Sequence, residues 1–211
     1  MLKAMRATHL HAPQNRKLWE IRRVDVDSME SESVRMWVRE TYGYADYPAL
    51  DVVTTGLYRY TDATLHDGGE CVMSDDPREL RRHLPAVLSA SGHVLVTGLG
   101  LGCVVRGLLT NPRVTHIDVI EVDTGVLEMV GPTFNGEPRV ALYHGDALRY
   151  RWPRDARWDF AWHDVWNDTP DTQVIHAMLL TRYHKLARHQ GAWGFPRWMK
   201  RLTADRFQLV G

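Results

Sequence analysis

Three glycines at alternate positions, Gly98, Gly100 and Gly102, follow the short apolar run His93-Val94-Leu95-Val96-Thr97. Glycine adopts backbone conformations barred to other residues and lets a ligand approach the chain closely. A helix-compatible run, Val104 to Leu109, comes next. The stretch therefore reads as a buried strand, a tight turn and a helix start. Unpaired N–H groups and the positive end of the dipole lie at such a start. In open α/β sheets this corner holds a nucleotide or nucleoside. Carboxylates recur at matching places further along. Glu121 closes the strand Thr115 to Ile120, Asp146 follows the strand Arg139 to His144, and Asp164 follows the strand Trp158 to His163. An acid at the end of the second strand accepts hydrogen bonds from both ribose hydroxyls, in NAD sites as in others. Asp146 is placed to accept from an adenine amino group, with Ala147 and Leu148 lining the ring, although Asp equally suits a helix N-cap. Asp164 is placed to orient an attacking nitrogen and take its proton.

The glycine spacing does not fit the dinucleotide pattern G-x-G-x-x-G, because the third slot falls on Cys103 or Val105. It fits G-x-G-x-G, a spacing of many S-adenosylmethionine sites. With Val94 to Gly102, Val119-Ile120-Glu121-Val122-Asp123, Gly145-Asp146-Ala147 and Trp158 to Asp164 in this order, the chain resembles the class I S-adenosylmethionine-dependent methyltransferases. Within that fold it is most similar to the spermidine-synthase-like, or aminopropyltransferase-like, branch, in which the position two before the first glycine is apolar, here Val96. The resemblance covers roughly residues 80 to 195. It implies S-adenosylmethionine, or its decarboxylated form, held by Gly98, Leu99, Gly100, Gly102, Glu121, Val122, Asp146 and Ala147, with Asp164 facing the acceptor. Where spermidine synthases carry Asp-Glu-x-x-Tyr-His-Glu, this chain lacks the Tyr-His-Glu, and Val165-Trp166-Asn167 follows Asp164 in place of Ser-Ser-Asp.

The elements that position these residues set the expected fold class. It is α/β, a Rossmann-like class I methyltransferase sheet shortened at the C-terminus, with a small β-rich N-terminal addition. The expected division is 1–73 for the N-terminal tail and β-rich segment and 74–211 for the cofactor-binding domain. In the first part, residues 1–15 read as a loose tail, Lys17 to Asp27, Asp51 to Tyr60 and Glu70 to Met73 as strands, Asp67-Gly68-Gly69 as a turn, and Ser31 to Tyr42 as a helix. This part is expected to cover one edge or the mouth of the site. A helix over Ser74 to Ser89 carries Leu80, Leu84 and Leu88 as its apolar stripe. A second over Thr169 to His189 leads to a fifth strand, Gly191 to Phe195. An open sheet edge invites pairing, which argues for a homo-oligomer.

Bulk properties bound the partners. The 26 basic and 26 acidic side chains cancel, so no overall field draws the chain to nucleic acid or anionic membrane. The cluster Arg149, Arg151, Arg154 and Arg157 reads as a solvated loop or a phosphate contact. No apolar run reaches membrane-span length, and no signal-peptide core precedes the domain. The expectation is a cytoplasmic chain. Two cysteines, Cys71 and Cys103, form no ligand pattern, and Cys103 reads as packing under the glycine turn. The eleven histidines are scattered. His176 and His184 stand two helical turns apart, so no metal site is expected. His144 and His163 sit at strand ends, as auxiliary bases or as structural groups. Trp162 and Trp166 flank Asp164, either in the core or stacked on a cation. Asp123 reads as a helix cap.

Two function classes fit. One is a transferase that moves an alkyl group from S-adenosylmethionine to a small-molecule nucleophile, methyl first and aminopropyl to an amine as the alternative. The other is a catalytically silent nucleoside-binding module that acts through a partner.

Overall fold

The computed structural model describes residues 2–5, 14–16, 19–25, 53–59, 70–75, 77–165 and 172–194. The expected helix at 31–42, the turn at 67–69, Trp166 and Phe195 lie outside them. In chain order the elements are α1 (Leu2–Met5), β1 (Gln14–Arg16), β2 (Trp19–Asp25), β3 (Val53–Arg59), β4 (Glu70–Ser74), α2 (Pro77–Ser89), β5 (Gly92–Thr97), α3 (Cys103–Leu109), β6 (Val114–Glu121) and α4 (Thr124–Val130). A 3₁₀ turn (Gly131–Phe134), β7 (Val140–His144), β8 (Trp158–His163), α5 (Thr172–Tyr183) and β9 (Ala187–Ala192) complete them.

Strands β1 to β4 form an antiparallel sheet in sequence order. Its closing corner is fixed by Asp75, which is fully buried. Asp75 accepts the Thr55 N–H through Oδ1 at 2.7 Å and returns its own N–H to the Thr55 carbonyl at 2.9 Å. The other five strands form a parallel sheet in the order β7-β6-β5-β8-β9. The order reverses at β5, so the chain runs outward to one side and then to the other. A crevice opens at such a switch point, beyond the carboxyl ends of the strands. The Rossmann-like α/β class read from the sequence is the fold observed.

Strand β5 reads as a continuous apolar run because both of its faces are covered. Val94, Val96, Val119 and Phe160 pack with Val87, Val105 and Leu108 beneath α2 and α3. Leu95, Ile120 and Ala161 pack with Leu179 and Tyr183 of α5. Three details differ from the expectation. The buried face of α2 is Leu80, His83, Ala86 and Val87, and Leu88 is 53% exposed. Leu80 and Leu84 of the expected stripe do pack on the core, but His83 is buried with them and Leu88 is turned to solvent. Helix α5 stops at Tyr183, and the strand begins at Ala187, not Gly191. Strand β9 escapes a hydrophobicity reading because a buried polar residue lies in it. Gln190 is satisfied by His163 Nε2 at 3.0 Å and by the Leu180 carbonyl at 2.7 Å. Lastly, residues 2–5 form a helical turn whose Met5 is buried against Gly107 and Val87. The four arginines at 149–157 are exposed.

The glycine turn is fixed by its neighbours. Gly98 has φ +91°, and a Cβ there would run into the backbone carbonyl oxygen of Asp164. Gly98→Ala is therefore expected to lose roughly 3 kcal/mol of stability in urea unfolding, from the left-handed backbone and the clash together. Gly136→Ala, with a similar φ of +86° and open space around it, isolates the backbone part and is expected to lose about 1 kcal/mol.

Candidate functional site

A cleft of about 770 Å³ opens over the carboxyl ends of β5, β6 and β8. Gly98, Gly100, Glu121, Val122, Asp146, Ala147 and Asp164 all line it. Leu99 and Gly102 lie beneath this wall. Leu99 is 4% exposed. Gly102 is the buried N-cap of α3, at φ +75°, and a Cβ there would press on Phe134. The spacing read as one cradle thus divides into two glycines at the surface of the cleft and one that starts a helix. From the antiparallel sheet, Trp19, Leu57, Arg59, Met73 and Ser74 close the mouth.

Glu121 ends β6 and is 8% exposed. One carboxylate oxygen accepts the Leu99 N–H at 2.7 Å and the other accepts the Asp123 N–H at 2.9 Å. The Val122 N–H bonds the same carboxylate, which still keeps acceptor capacity for the cleft. Burial pushes this acid above the usual carboxylate range, opposed by the backbone N–H groups. Beside it Val122 is 63% exposed and forms an apolar plate. Asp123 is the N-cap of α4, accepting from Gly125 and Val126. Asp146 accepts the Leu148 N–H at 2.8 Å and lies 3.5 Å from Arg149. Carboxylate acceptors at Glu121 and Asp146 thus flank an apolar surface, an arrangement that fits an adenosyl group.

Asp164 faces the same space from β8, with 19% of its side chain exposed. Its pKa is pushed up to about 6, chiefly by burial. His83 opposes the shift, and Glu79 and Glu121 add to it. Behind it lies His83, fully buried on α2. Nδ1 is 3.8 Å from Asp164 Oδ2, and Nε2 is 3.6 Å from Glu79 Oε1. Burial pulls this imidazole down, but the two carboxylates outweigh it and raise it above its ordinary value. Neither ring nitrogen makes a normal hydrogen bond. Glu79 also accepts the Trp193 indole N–H at 2.9 Å and pairs with Arg82. Trp162 is 8% exposed and stands edge-on to His83 with centroids 6.2 Å apart, so it belongs to the core behind Asp164.

Glu79, His83 and Met73 were not foreseen. The Glu79–His83 spacing, one helical turn, was the available signal for the first two. Met73 carried none. Its Sδ accepts the Leu101 N–H at 3.3 Å and covers Gly100. The other candidate bases are structural. His163 is fully buried between Thr97 and Gln190, and burial brings its pKa down to about 4. His144 is exposed and bonded to the Val122 carbonyl. Cys103 is buried and its thiol is pushed up to about 12, so it is inert. Among the described residues, five acids and two arginines line the cleft: Glu79, Glu121, Asp123, Asp146 and Asp164 against Arg59 and Arg82. This balance suits a cationic ligand.

No family model matches the chain. It is 29% identical over 140 residues to a polyamine aminopropyltransferase of Agathobacter rectalis, covering 61% of this chain and 47% of that protein. A polyamine aminopropyltransferase of Mycobacterium tuberculosis is 29% identical over 148 residues, 65% of this chain and 24% of its own length. The chain thus spans about half or less of these relatives. Among solved structures, the 23S rRNA methyltransferase ErmE superposes with a TM-score of 0.42 and 18% identity, covering 56% of this chain and 44% of that one. Among the described residues no helix is long and apolar enough to cross a membrane.

Proposed function

We propose that the cleft seats an adenosyl sulfonium donor and an amine, and that the chain transfers an alkyl group between them, with Asp164 as the proton acceptor. The observation that carries this reading is the recessed Asp164 carboxyl, at a pKa of about 6, in one cleft with the sugar-binding acid Glu121. When bound, the sulfonium donor supplies an electrophilic carbon whose bond to sulfur breaks as nitrogen attaches, leaving a neutral thioether. The protein supplies alignment and exclusion of water. Glu121 and Asp146 hold the sugar and base, and Val122 covers the ring. Asp164 accepts a hydrogen bond from the amine nitrogen and takes the proton it must shed. His83 lies between Asp164 and Glu79, which raise its pKa against the pull of burial, and in return it opposes the upward shift of Asp164.

One contact favours aminopropyl over methyl transfer. A donor that retains its carboxylate looks for free backbone N–H groups at the glycine turn. The Leu101 N–H is already taken by the Met73 thioether, which favours the decarboxylated donor. The similarity to aminopropyltransferases over 61% of the chain supports the same choice. The test is incubation of the purified chain with labelled S-adenosylmethionine or its decarboxylated form and a panel of di- and polyamines. Calorimetric titration with S-adenosylhomocysteine and methylthioadenosine accompanies it. Label transferred from the decarboxylated donor, with methylthioadenosine the tighter ligand, is the expected result. Label from the carboxylated donor instead makes the enzyme a methyltransferase. Saturable binding without transfer leaves a silent nucleoside module, and no binding of either thioether removes the adenosyl reading.

A further inference from the structure

At the end of the parallel sheet away from the cleft, three side chains converge. In register, His93 of β5 lies beside His116 of β6, and Leu95 beside Asp118. Residues two apart on a strand share a face, so His93, His116 and Asp118 meet on one side of two central strands. His93 Nε2 lies 2.8 Å from Asp118 Oδ2, and His116 Nε2 lies 3.4 Å from Asp118 Oδ1. Among the described residues, this is the trio of His, Cys, Asp or Glu whose ligand atoms all lie within 4.8 Å of one another.

We propose that His93, His116 and Asp118 bind a divalent transition-metal ion, zinc above all. Two imidazoles and one carboxylate are a common zinc donor set, with water in the fourth position. Ligand bonds of about 2.0–2.2 Å place tetrahedral donors roughly 3.4 Å apart. The His116 separation of 3.4 Å matches that value, and the His93 separation of 2.8 Å is shorter, so the His93 ring must draw back slightly to admit an ion. Both histidine side chains are 38% exposed, which leaves them free to close on an ion and gives the ion a path from solvent.

The support behind the trio is built in. Asp118 is 6% exposed. Its Oδ2 accepts the Trp158 indole N–H at 2.8 Å, and Tyr143 bonds it from β7. Partners of this kind orient a ligating carboxylate. The His93 main-chain N–H is held by Asp159 Oδ2 at 3.0 Å. That carboxylate occupies the space where a Cβ on Gly92 would stand, and Gly92 has φ +67°. The strand therefore enters the site along a fixed path. Hydrogen bonding alone accounts for the trio less well. Asp118 Oδ2 already has Trp158 and His93, whereas His116 points its Nε2 at the other oxygen from beyond normal hydrogen-bond reach for a strong pair.

The test uses the full chain without a histidine tag, stripped with a chelator and titrated with Zn²⁺ by calorimetry and with Co²⁺ by visible absorption. One equivalent is expected whose affinity falls at least ~10-fold in both His93→Ala and His116→Ala. Saturating Zn²⁺ is expected to raise the thermal midpoint of the wild type and not that of His116→Ala. Because His116 is partly exposed, that variant keeps the fold even if His93→Ala does not. Equal affinity and an equal thermal shift in wild type and His116→Ala would overturn the site. The proposal does not depend on the reading of the cleft, so methylthioadenosine binding is expected to be the same in His116→Ala and wild type.

Discussion

Asp164→Asn is expected to reduce the transfer rate by about 10²–10⁴-fold, the usual contribution of a positioned base, while methylthioadenosine binds within about threefold of wild type, since Glu121, the proposed sugar acceptor, is untouched. Asn keeps the shape of the side chain and removes its ability to take a proton. The wild-type pH profile carries the same information. The carboxyl titrates at about 6 and works as a base only when ionised, so kcat/KM is expected to rise with pH through that value. The acid limb is expected to vanish from the residual activity of the variant. An unchanged limb in Asp164→Asn would assign the base to another group. For stability the sign is reversed. A folded pKa raised from 3.8 to about 6 means the proton favours the fold. The contribution is complete below about pH 4 and is lost by the time the pH passes 6. Asn carries no such proton, so the difference in unfolding free energy between the two proteins is expected to shift toward the variant across that window.

Glu121→Gln is the second large effect. Both carboxylate oxygens of Glu121 accept backbone N–H groups, from Leu99 at 2.7 Å and Asp123 at 2.9 Å. A glutamine must turn its NH₂ toward one of these donors, leaving a buried N–H without an acceptor. That loss is worth about 2 kcal/mol of stability. The same turn spoils the acceptor pair for the sugar, so adenosyl thioether affinity is expected to fall about 100-fold, read by calorimetry. A variant that loses stability but keeps full affinity would confine Glu121 to holding the glycine turn.

Much of this arrangement was legible because position along a parallel strand fixes position in space. A strand that reads as an unbroken apolar run, as β5 does, lies in the centre of a sheet, and whatever follows its last residue stands at the rim. Glycines, Glu121, Asp146 and Asp164 could therefore be placed together from order alone. Legibility stopped where burial and polarity part company. Gln190 is polar and buried, so β9 was shifted by four residues at its start. His83 is buried beside Leu80, while Leu88, which periodicity placed inward, is exposed. Contacts across strands leave no spacing in the sequence at all. His93 and Asp118 meet although twenty-five positions separate them, and Met73 reaches Leu101 from a different sheet.

The Met73 contact has a consequence for how the chain can be divided. The β-pattern suggests a cut between 73 and 74, and a fragment taken from there would keep all five parallel strands. It would also strip a sulfur acceptor from the Leu101 amide and remove the roof formed by Trp19, Leu57 and Arg59. The residues before position 74 therefore complete both the cleft and the packing beneath it, because Met5 is buried beside Gly107 and Val87, and a shortened chain would present the pocket's floor without its roof.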